Sequence, residues 1–267
     1  MSDQPKPVVS IIIPVLNQPE KTIKCLQSIR ANTKLPHEII WIDNGSNADA
    51  FSIIRQQATR PRVRCKVVKN AYNMGFVKAT NQGIKEAVGE YIIMLNNDTE
   101  VYWKWATKLI KPLMHNPEIG AVGPVTQSKI SWQEAGNLNM RFGTALPRYV
   151  PNQAAYAQML AKYDGEYLDI KKNNLAFFCT AFRRKVFDEV GLLNEQFNIG
   201  LGEDDEFCMR LRHHGYKQLL SLGTFVFHHH RTTFSDLRLG VDSLRRHNLK
   251  ILRRTEKELA QSKNTTV

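Results

Sequence analysis

The first third of the chain alternates two hydrophobic periods. Residues 8–15 (VVSIIIPV) are a β-branched run, the pattern of a strand buried on both faces. Residues 21–30 switch to helical spacing, with Ile23, Leu26 and Ile29 on one face. Residues 38–43 (EIIWID) predict a second strand, stopped by the turn signal Asn44-Gly45-Ser46. Residues 49–58 read as a helix with Phe51, Ile54 and Ala58 inward, and residues 63–68 as a third strand. A helix follows over 77–87, anchored by Ala79, Ile84 and Ala87, and then a fourth strand over 90–95 (EYIIML). That strand ends abruptly in Asn96-Asn97-Asp98. Alternation of this length predicts an α/β, Rossmann-like domain with a mostly parallel central sheet flanked by helices.

The pattern weakens in the middle. Residues 120–125 read as a strand, 131–152 show no clear period and read as irregular, and 154–162 read as a short helix. Residues 176–182 (AFFCTAF) return to a strand pattern, 203–213 read as a helix, and 224–228 (TFVFH) as a last strand. From residue 235 a long amphipathic helix is expected. Leu237, Val241, Leu244 and Ile251 form its stripe, and Arg238, Arg245, Arg246, Lys250, Arg253, Arg254 and Lys257 crowd the rest. The expected organisation is a catalytic domain over 1–234 and a basic helical extension over 235–267. The domain divides into a nucleotide-binding half (about 8–125) and an acceptor-binding half (about 126–234).

Composition adds a sign. The 267 residues carry 37 Lys plus Arg against 25 Asp plus Glu, a formal net charge of +12, which suits an anionic partner. Cys25, Cys65, Cys179 and Cys208 lie far apart and form no C-x-x-C, so they predict neither a zinc site nor a disulfide framework. The polar first residues and the lack of a long apolar run predict no signal peptide and no membrane span. A cytoplasmic protein is expected, with peripheral contact to a membrane's inner face through the basic helix as a second possibility.

In a parallel α/β sheet ligands sit at the carboxyl ends of the strands. Asn17, Asp43 and Asn96-Asn97-Asp98 fall at such ends, while no G-x-G-x-x-G or P-loop sequence is present. Asp98 offers another way to hold phosphates, through a divalent cation that bridges diphosphate oxygens. Its plainer role is to help cap a helix starting near Val101. Glu203-Asp204-Asp205-Glu206 is a second acidic cluster, which would also complement the dipole of a helix beginning there. Trp103 and Trp132 could stack on a sugar, although core packing is their commoner use.

The segments VSIIIPVLN, EIIWIDNGSNAD, NMGFVKATNQGIKEAVGEYIIMLNNDTEV, GEDDEFCMRLRHHGY and FVFHHHRTTF, in this order, resemble the family-2 glycosyltransferases. The resemblance covers residues 8–130 and 174–234 and is absent from the tail. It implies the A-type glycosyltransferase fold and an inverting, metal-dependent transfer from a nucleotide-diphosphate sugar to a glycan or lipid-linked acceptor. Pro14, Val15, Asn17 and Asp43 would then hold the nucleotide base and ribose, with Asp43 accepting the N3–H of a uracil or thymine. UDP-sugars are the expected donors and dTDP-sugars the alternative. The plainer role of Asp43 is an Asx-turn with Asn44-Gly45. Asn73, Gly75 and Asn81 would lie beside the nucleotide, Gly75 by close backbone approach. Asn96-Asn97-Asp98 replaces the family's Asp-x-Asp, with Asn96 a departure that brings no charge. Asp98 and His228 would hold Mn²⁺ or Mg²⁺, with His229 facing away from His228 and His230 in strand alternation. Asp204 would be the general base and Glu203 its neighbour and second candidate. A sugar-nucleotide pyrophosphorylase is an alternative, but it needs a Gly-rich basic loop where the chain has Val15-Leu16-Asn17-Gln18-Pro19. A non-catalytic nucleic-acid binder is a third reading; the acidic clusters at strand ends argue against nucleic acid as the partner.

Overall fold

A computed structural model describes residues 8–58, 64–128, 131–171, 173–198, 200–229 and 241–264. Strands β1 (Val9–Val15), β2 (His37–Asp43), β3 (Arg64–Lys69) and β4 (Tyr91–Leu95) alternate with helices α1 (Pro19–Asn32), α2 (Ala48–Ala58) and α3 (Phe76–Glu86). All four strands are parallel, in the order β3-β2-β1-β4. Successive connections leave β1 in opposite directions, so the switch point lies between β1 and β4, where a ligand crevice is expected.

The side chains of these strands divide between two cores. Ile12, Ile40, Ile42, Ile92 and Met94 face one, with α3 beyond them. Ile11, Ile13, Ile39, Trp41, Ile93 and Leu95 face the other, under α1, α2 and a fourth helix, α4 (Trp105–His115). Burial on both faces is why the strands read as continuous apolar runs rather than alternating ones.

Beyond β4 the sheet becomes mixed. Strand β8 (Cys179–Arg183) is antiparallel to both β4 and β6 (Ile119–Val125), and β6 is parallel to the long β9 (Lys217–His228). A short strand, β5 (Thr99–Val101), pairs antiparallel with the end of β9, bringing Thr99 opposite His228. This replaces the helix expected near Val101: Thr99 and Val101 are buried, β-branched and paired, and α4 starts only at Trp105, after Lys104 turns left-handed (φ 57°). Asp98 is therefore not a helix cap.

The stretch expected to be irregular contains α5 (Ala135–Phe142). The Glu134 side chain caps it by accepting the Asn137 amide at 3.1 Å, and Gly143 ends it with φ +66°. Gly136, Asn137 and Asn139 inside the helix obscure its period. Helix α6 (Gln153–Leu160), strand β7 (Tyr167–Asp169) along β9, and helices α7 (Arg184–Glu189) and α8 (Glu203–His213) complete the second half of the domain.

The tail is helical over α9 (Val241–Asn264); Leu237, Arg238 and His230 lie outside the described residues. Asn248, Ile251 and Thr255 are buried and Leu252 is half-buried, so α9 docks by one stripe, against α8 and the turn at Glu195–Phe197. Arg245, Arg246, Lys250, Arg253 and Lys257 are exposed. Among the described residues no helix is long and apolar enough to cross a membrane.

Helix α3 lies so close on β1 that a Cβ on Gly83 would collide with Ile12 Cγ2. Gly83→Ala should therefore lose more by overpacking, about 1–3 kcal/mol, than the roughly 1 kcal/mol gained in helix propensity. A lower urea midpoint with unchanged m-value is expected. A higher midpoint would show that α3 can move off the sheet freely.

Candidate functional site

The crevice begins where β1 and β2 end in register, Val15 beside Asp43. The chain after β1 turns through two left-handed residues, Asn17 (φ 55°) and Gln18 (φ 56°), and Pro19 starts α1. Asn17 Oδ1 accepts the Asn47 amide at 3.0 Å, and the Asn17 amide donates to Ser46 Oγ at 2.8 Å. The two loops are thus tied to each other. Asn44 ties them to a third: its Oδ1 accepts from Met74 N (3.0 Å) and Asn70 Nδ2 (3.1 Å), and its Nδ2 donates to Asn73 Oδ1 (2.8 Å).

Asp43 stands apart from this net. It is fully buried, and neither carboxylate oxygen has a hydrogen-bond partner. The Asx-turn reading therefore does not describe it; the turn is built by Asn44 and Asn47. An unpartnered buried carboxylate is costly and marks a place where a donor from outside the chain fits.

The end of β4 supplies the second group. Asp98 Oδ1 lies 3.1 Å from His228 Nε2, and both residues are buried. Two atoms that each ligate one ion at about 2.1 Å, at right angles, are about 3 Å apart, so this spacing fits a shared cation. Asn96 reaches the same place: its Nδ2 is 3.5 Å from His228 Nε2, and its buried Oδ1 has no partner. Among the described residues no cluster of three or more His, Cys, Asp or Glu side chains could hold a metal. The set is one carboxylate, one imidazole and one amide, suited to a cation that takes further oxygens from a diphosphate. Asn97 turns away and donates to Thr22 Oγ1 on α1 at 2.9 Å. His229 pairs instead with Glu100 at 2.7 Å, as strand alternation requires.

Helix α8 brings the third group. Burial raises the carboxyls of both Glu203 and Asp204; Asp204 adds its repulsion to Glu203, and Asp205 adds its own to Asp204. The Asp205 amide donates to Asp204 Oδ1 at 2.9 Å, and the Phe177 backbone amide faces the same carboxyl and partly offsets the rise. Asp205 is turned aside, accepting from Asn174 Nδ2 at 2.7 Å. Asn174 is held in turn by Arg212 Nη1 (2.7 Å) and by the Trp132 indole N–H, which donates to its carbonyl (2.8 Å). Glu206 forms a buried pair with Arg210 at 2.9 Å.

Phe177-Phe178 joins the last two groups. Phe178 O accepts the Asn96 amide at 2.8 Å, and its ring stacks on His228 with centroids 5.0 Å apart. Sequence reasoning passed over this dipeptide, as well as Asn44 and Gln127. Gln127 clasps the His228 backbone on both sides, at 2.7 and 3.1 Å. The AFFCTAF pattern showed a strand but not what its first residues touch.

Some expected nucleotide neighbours serve the chain itself. Asn81 bonds the Leu193 carbonyl and amide and Glu195 Oε1, so its amide is a tether to residues 193–195 rather than a ligand-facing group. A Cβ on Gly75 would meet Asn198 O and Oδ1 at 2.5 Å, so the close approach that requires glycine there is made by Asn198. Asn73 Oδ1 also accepts the Gly75 amide at 2.9 Å. Pro14 and Val15 are buried, and Val15 O accepts the Asn44 amide at 2.7 Å. Trp132 is half-buried beside Asn174, whereas Trp103 is 56% exposed, so it does not pack in the core.

Residues 10–191 match the profile of Glycosyl transferase family 2, and the chain belongs to that family. It is 28% identical over 232 residues to the O-antigen biosynthesis protein RfbC of Myxococcus xanthus, covering 84% of this chain and 17% of that protein. It is 27% identical over 229 residues to the hyaluronan synthase of Pasteurella multocida, covering 78% of this chain and 23% of that protein. The chain thus spans less than a quarter of either relative. Among solved structures it resembles GalNAc-T7 with UDP, GalNAc and Mn²⁺ (TM-score 0.66, 20% identity, 86% of this chain, 45% of that one). It also resembles the mannosyltransferase PcManGT of Pyrobaculum calidifontis with GDP-Man and Mn²⁺ (TM-score 0.59, 17% identity, 85% of this chain, 58% of that one). These likenesses establish the A-type glycosyltransferase fold. Family membership leaves the pyrophosphorylase and nucleic-acid readings without support.

The raised carboxyls on α8 have a thermodynamic consequence. Below the unfolded value both states are protonated and no penalty exists; as pH rises, the unfolded chain releases its protons first and the folded state is penalised. Asp204→Asn should therefore raise Tm by a few degrees at pH 8 and change it little at pH 4. Thermal denaturation at the two pH values checks this. An unchanged or lower Tm at pH 8 would mean that Asp204 is charged there without cost.

Proposed function

We propose that the chain is the catalytic domain of an inverting, divalent-cation-dependent glycosyltransferase that moves a sugar from a nucleoside diphosphate to a hydroxyl. The observation that supports this most is the sharing of Phe177-Phe178 between the Asp98–His228 pair and Asp204. It sets a cation-binding group and a proton acceptor on the same short segment. Asp98, His228 and the free oxygen of Asn96 would hold Mn²⁺ or Mg²⁺, which neutralises charge on the leaving diphosphate when bound. Asp204 takes the proton of the acceptor hydroxyl. That oxygen bonds to the anomeric carbon on the face opposite the diphosphate, and the bond from the anomeric carbon to the phosphate oxygen breaks. Burial that raises Asp204 makes it a stronger base than an ordinary carboxylate.

Asp43 is the reading group for the base. Its empty carboxylate suits the N3–H of uracil or thymine, so UDP-sugars are the favoured donors and dTDP-sugars the alternative. The names of the relatives support a role in polysaccharide or glycoconjugate synthesis. Nucleotide release measured on UDP-, dTDP- and GDP-sugars, with and without Mn²⁺, tests the whole reading. Asp204→Asn should lower kcat by about 10²–10⁴-fold and leave UDP binding within a few-fold. Asp98→Ala should remove the Mn²⁺-dependent part of UDP binding. Equal UDP affinity with and without Mn²⁺ in the unsubstituted protein would overturn the cation site.

The exposed face of α9 is the proposed contact with anionic lipid. Its stripe is taken up by α8, which leaves Arg245, Arg246, Lys250, Arg253 and Lys257 outward. Each basic group near an anionic leaflet contributes about 1 kcal/mol. Replacing the five by Gln should abolish co-sedimentation with vesicles rich in phosphatidylserine and leave turnover on soluble acceptors unchanged. Binding that ignores lipid charge would overturn the contact.

A further inference from the structure

The segment entering α8 is the most contorted stretch of described backbone. Gly200 (φ +110°), Leu201 (φ +71°) and Gly202 (φ +123°) all lie at positive φ, and Leu201 is not a glycine. Such a conformation is costly for a residue with a Cβ and persists only where the surroundings impose it. The very next residues are Glu203 and Asp204. A Cβ on Gly200 would lie 3.5 Å from both Glu203 carboxylate oxygens, so this loop is folded directly over the acidic group.

Helix α9 is what holds the loop. Asn248, only 2% exposed, donates through Nδ2 to Gly200 O at 2.9 Å and to Leu201 O at 2.7 Å. One amide thus satisfies two adjacent carbonyls of the strained turn. From the same helix Leu252 reaches the loop, its Cδ1 lying 3.5 Å from where a Cβ on Gly202 would stand. The loop's own bonds run to its flanks, from Gly200 N to Phe197 O and from Glu206 N to Gly202 O, each at 3.0 Å. The buried Oδ1 of Asn248 has no partner, so its burial is not explained as a contribution to stability alone.

We infer that Asn248 is a positioning residue for the reaction: by pinning the carbonyls of Gly200 and Leu201, it fixes the start of α8 and with it the proton acceptor Asp204. The tail helix is then part of the active site's support, although it touches no reacting atom. Small misplacements of a base lower turnover steeply, while groups that bind the nucleotide elsewhere are unaffected. The inference rests on Asp204 being the base, so its test carries one readout that needs no activity.

Three variants of the full chain separate the possibilities. Asn248→Asp keeps the shape and removes both donors. Asn248→Gln keeps both donors on a longer stem. Thr255→Ala alters the same buried face two turns further along, about 10 Å away, and leaves the clamp untouched. Hydrogen–deuterium exchange should show at least tenfold faster exchange of peptides spanning 200–206 in Asn248→Asp, with β1 and β2 unchanged. With a UDP-sugar that the unsubstituted protein turns over, kcat should fall at least tenfold, while donor KM and the Kd for UDP stay within twofold. Asn248→Gln should recover most of both losses, and Thr255→Ala should show neither, whatever its Tm. Unchanged exchange at 200–206, or a kcat loss in Thr255→Ala equal to that in Asn248→Asp, would overturn the inference. If no nucleotide sugar is turned over by the unsubstituted protein, the functional reading fails, and the exchange comparison alone still decides whether the clamp exists. If Asn248→Asp does not fold, Asn248→Ala, which removes the donors without adding a charge, is read against Thr255→Ala: faster exchange at 200–206 in Asn248→Ala alone supports the clamp, and equal exchange in the two overturns it.

Discussion

Carboxylates out of water govern this structure. Asp43, Asp98 and Glu203 are buried and Asp204 is half-buried, all at one edge of the sheet. Taking such groups from water costs several kcal/mol each unless hydrogen bonds or opposite charge compensate. Each is answered differently. Asp98 has His228, and Asp204 Oδ1 has the Asp205 amide. Asp43 has nothing within hydrogen-bond reach, and Glu203 Oε2 has nothing either. Surroundings that leave such charges so poorly compensated must be rigid, or the loops would open and let water in. The loops around the crevice meet that demand with side-chain amides.

Asparagine fastens the loops at the ends of β1 and β2 to one another. Asn44, Asn70, Asn73, Asn17 and Asn47 each bond a loop other than, or beyond, their own position. An amide offers two donors and an acceptor, so one side chain can fasten two segments. The result is a rigid rim at the ends of β1 and β2 that spares Asp43 from structural duty. A carboxylate would be a poor substitute for Asn44 or Asn70, whose side-chain amides donate as well as accept.

The first half of the sheet was legible in the sequence because its strands are buried on both faces. Runs such as VSIIIPV show no alternation, but they are β-branched, too short for a helix and bounded by turn residues, and the polar residue that ends each run marks the crevice. The second half of the domain was less legible for equally physical reasons. Helix α5 carries Gly136, Asn137 and Asn139 in its body, and its cap is Glu134 rather than a Ser, Thr, Asp or Asn. Strand β5 is too short to show a period, and its partner is more than a hundred residues away, so Asp98 and Thr99 looked like the cap of a helix starting near Val101. Asp98 stood out as a candidate by its place at a strand end, and Asp204 by its acidic cluster and the family resemblance. What holds them was not visible, since Phe178, Asn174, Gln127 and Asn248 owe their roles to contacts distant in sequence.

The family profile ends at residue 191, before Asp204, His228 and Asn248. The part of the chain that defines the family therefore contains Asp43 and Asp98, on a scaffold built by local β-α-β succession. The remaining groups reach the site from a later helix, a late strand and the tail. His228 meets the scaffold through the pairing of β9 with β5 and β6, and Asp204 meets it beside Phe177 and through one strained turn, residues 200–202. Rigid strand ends hold the first set, so variation around it is restrained by the sheet. The second set is mixed: His228 is held by the sheet, whereas Asp204 stands at a helix start whose support, α9, docks at the surface. Substitutions on α9 can therefore alter what surrounds Asp204 without disturbing the strands that carry Asp43, Asp98 and His228.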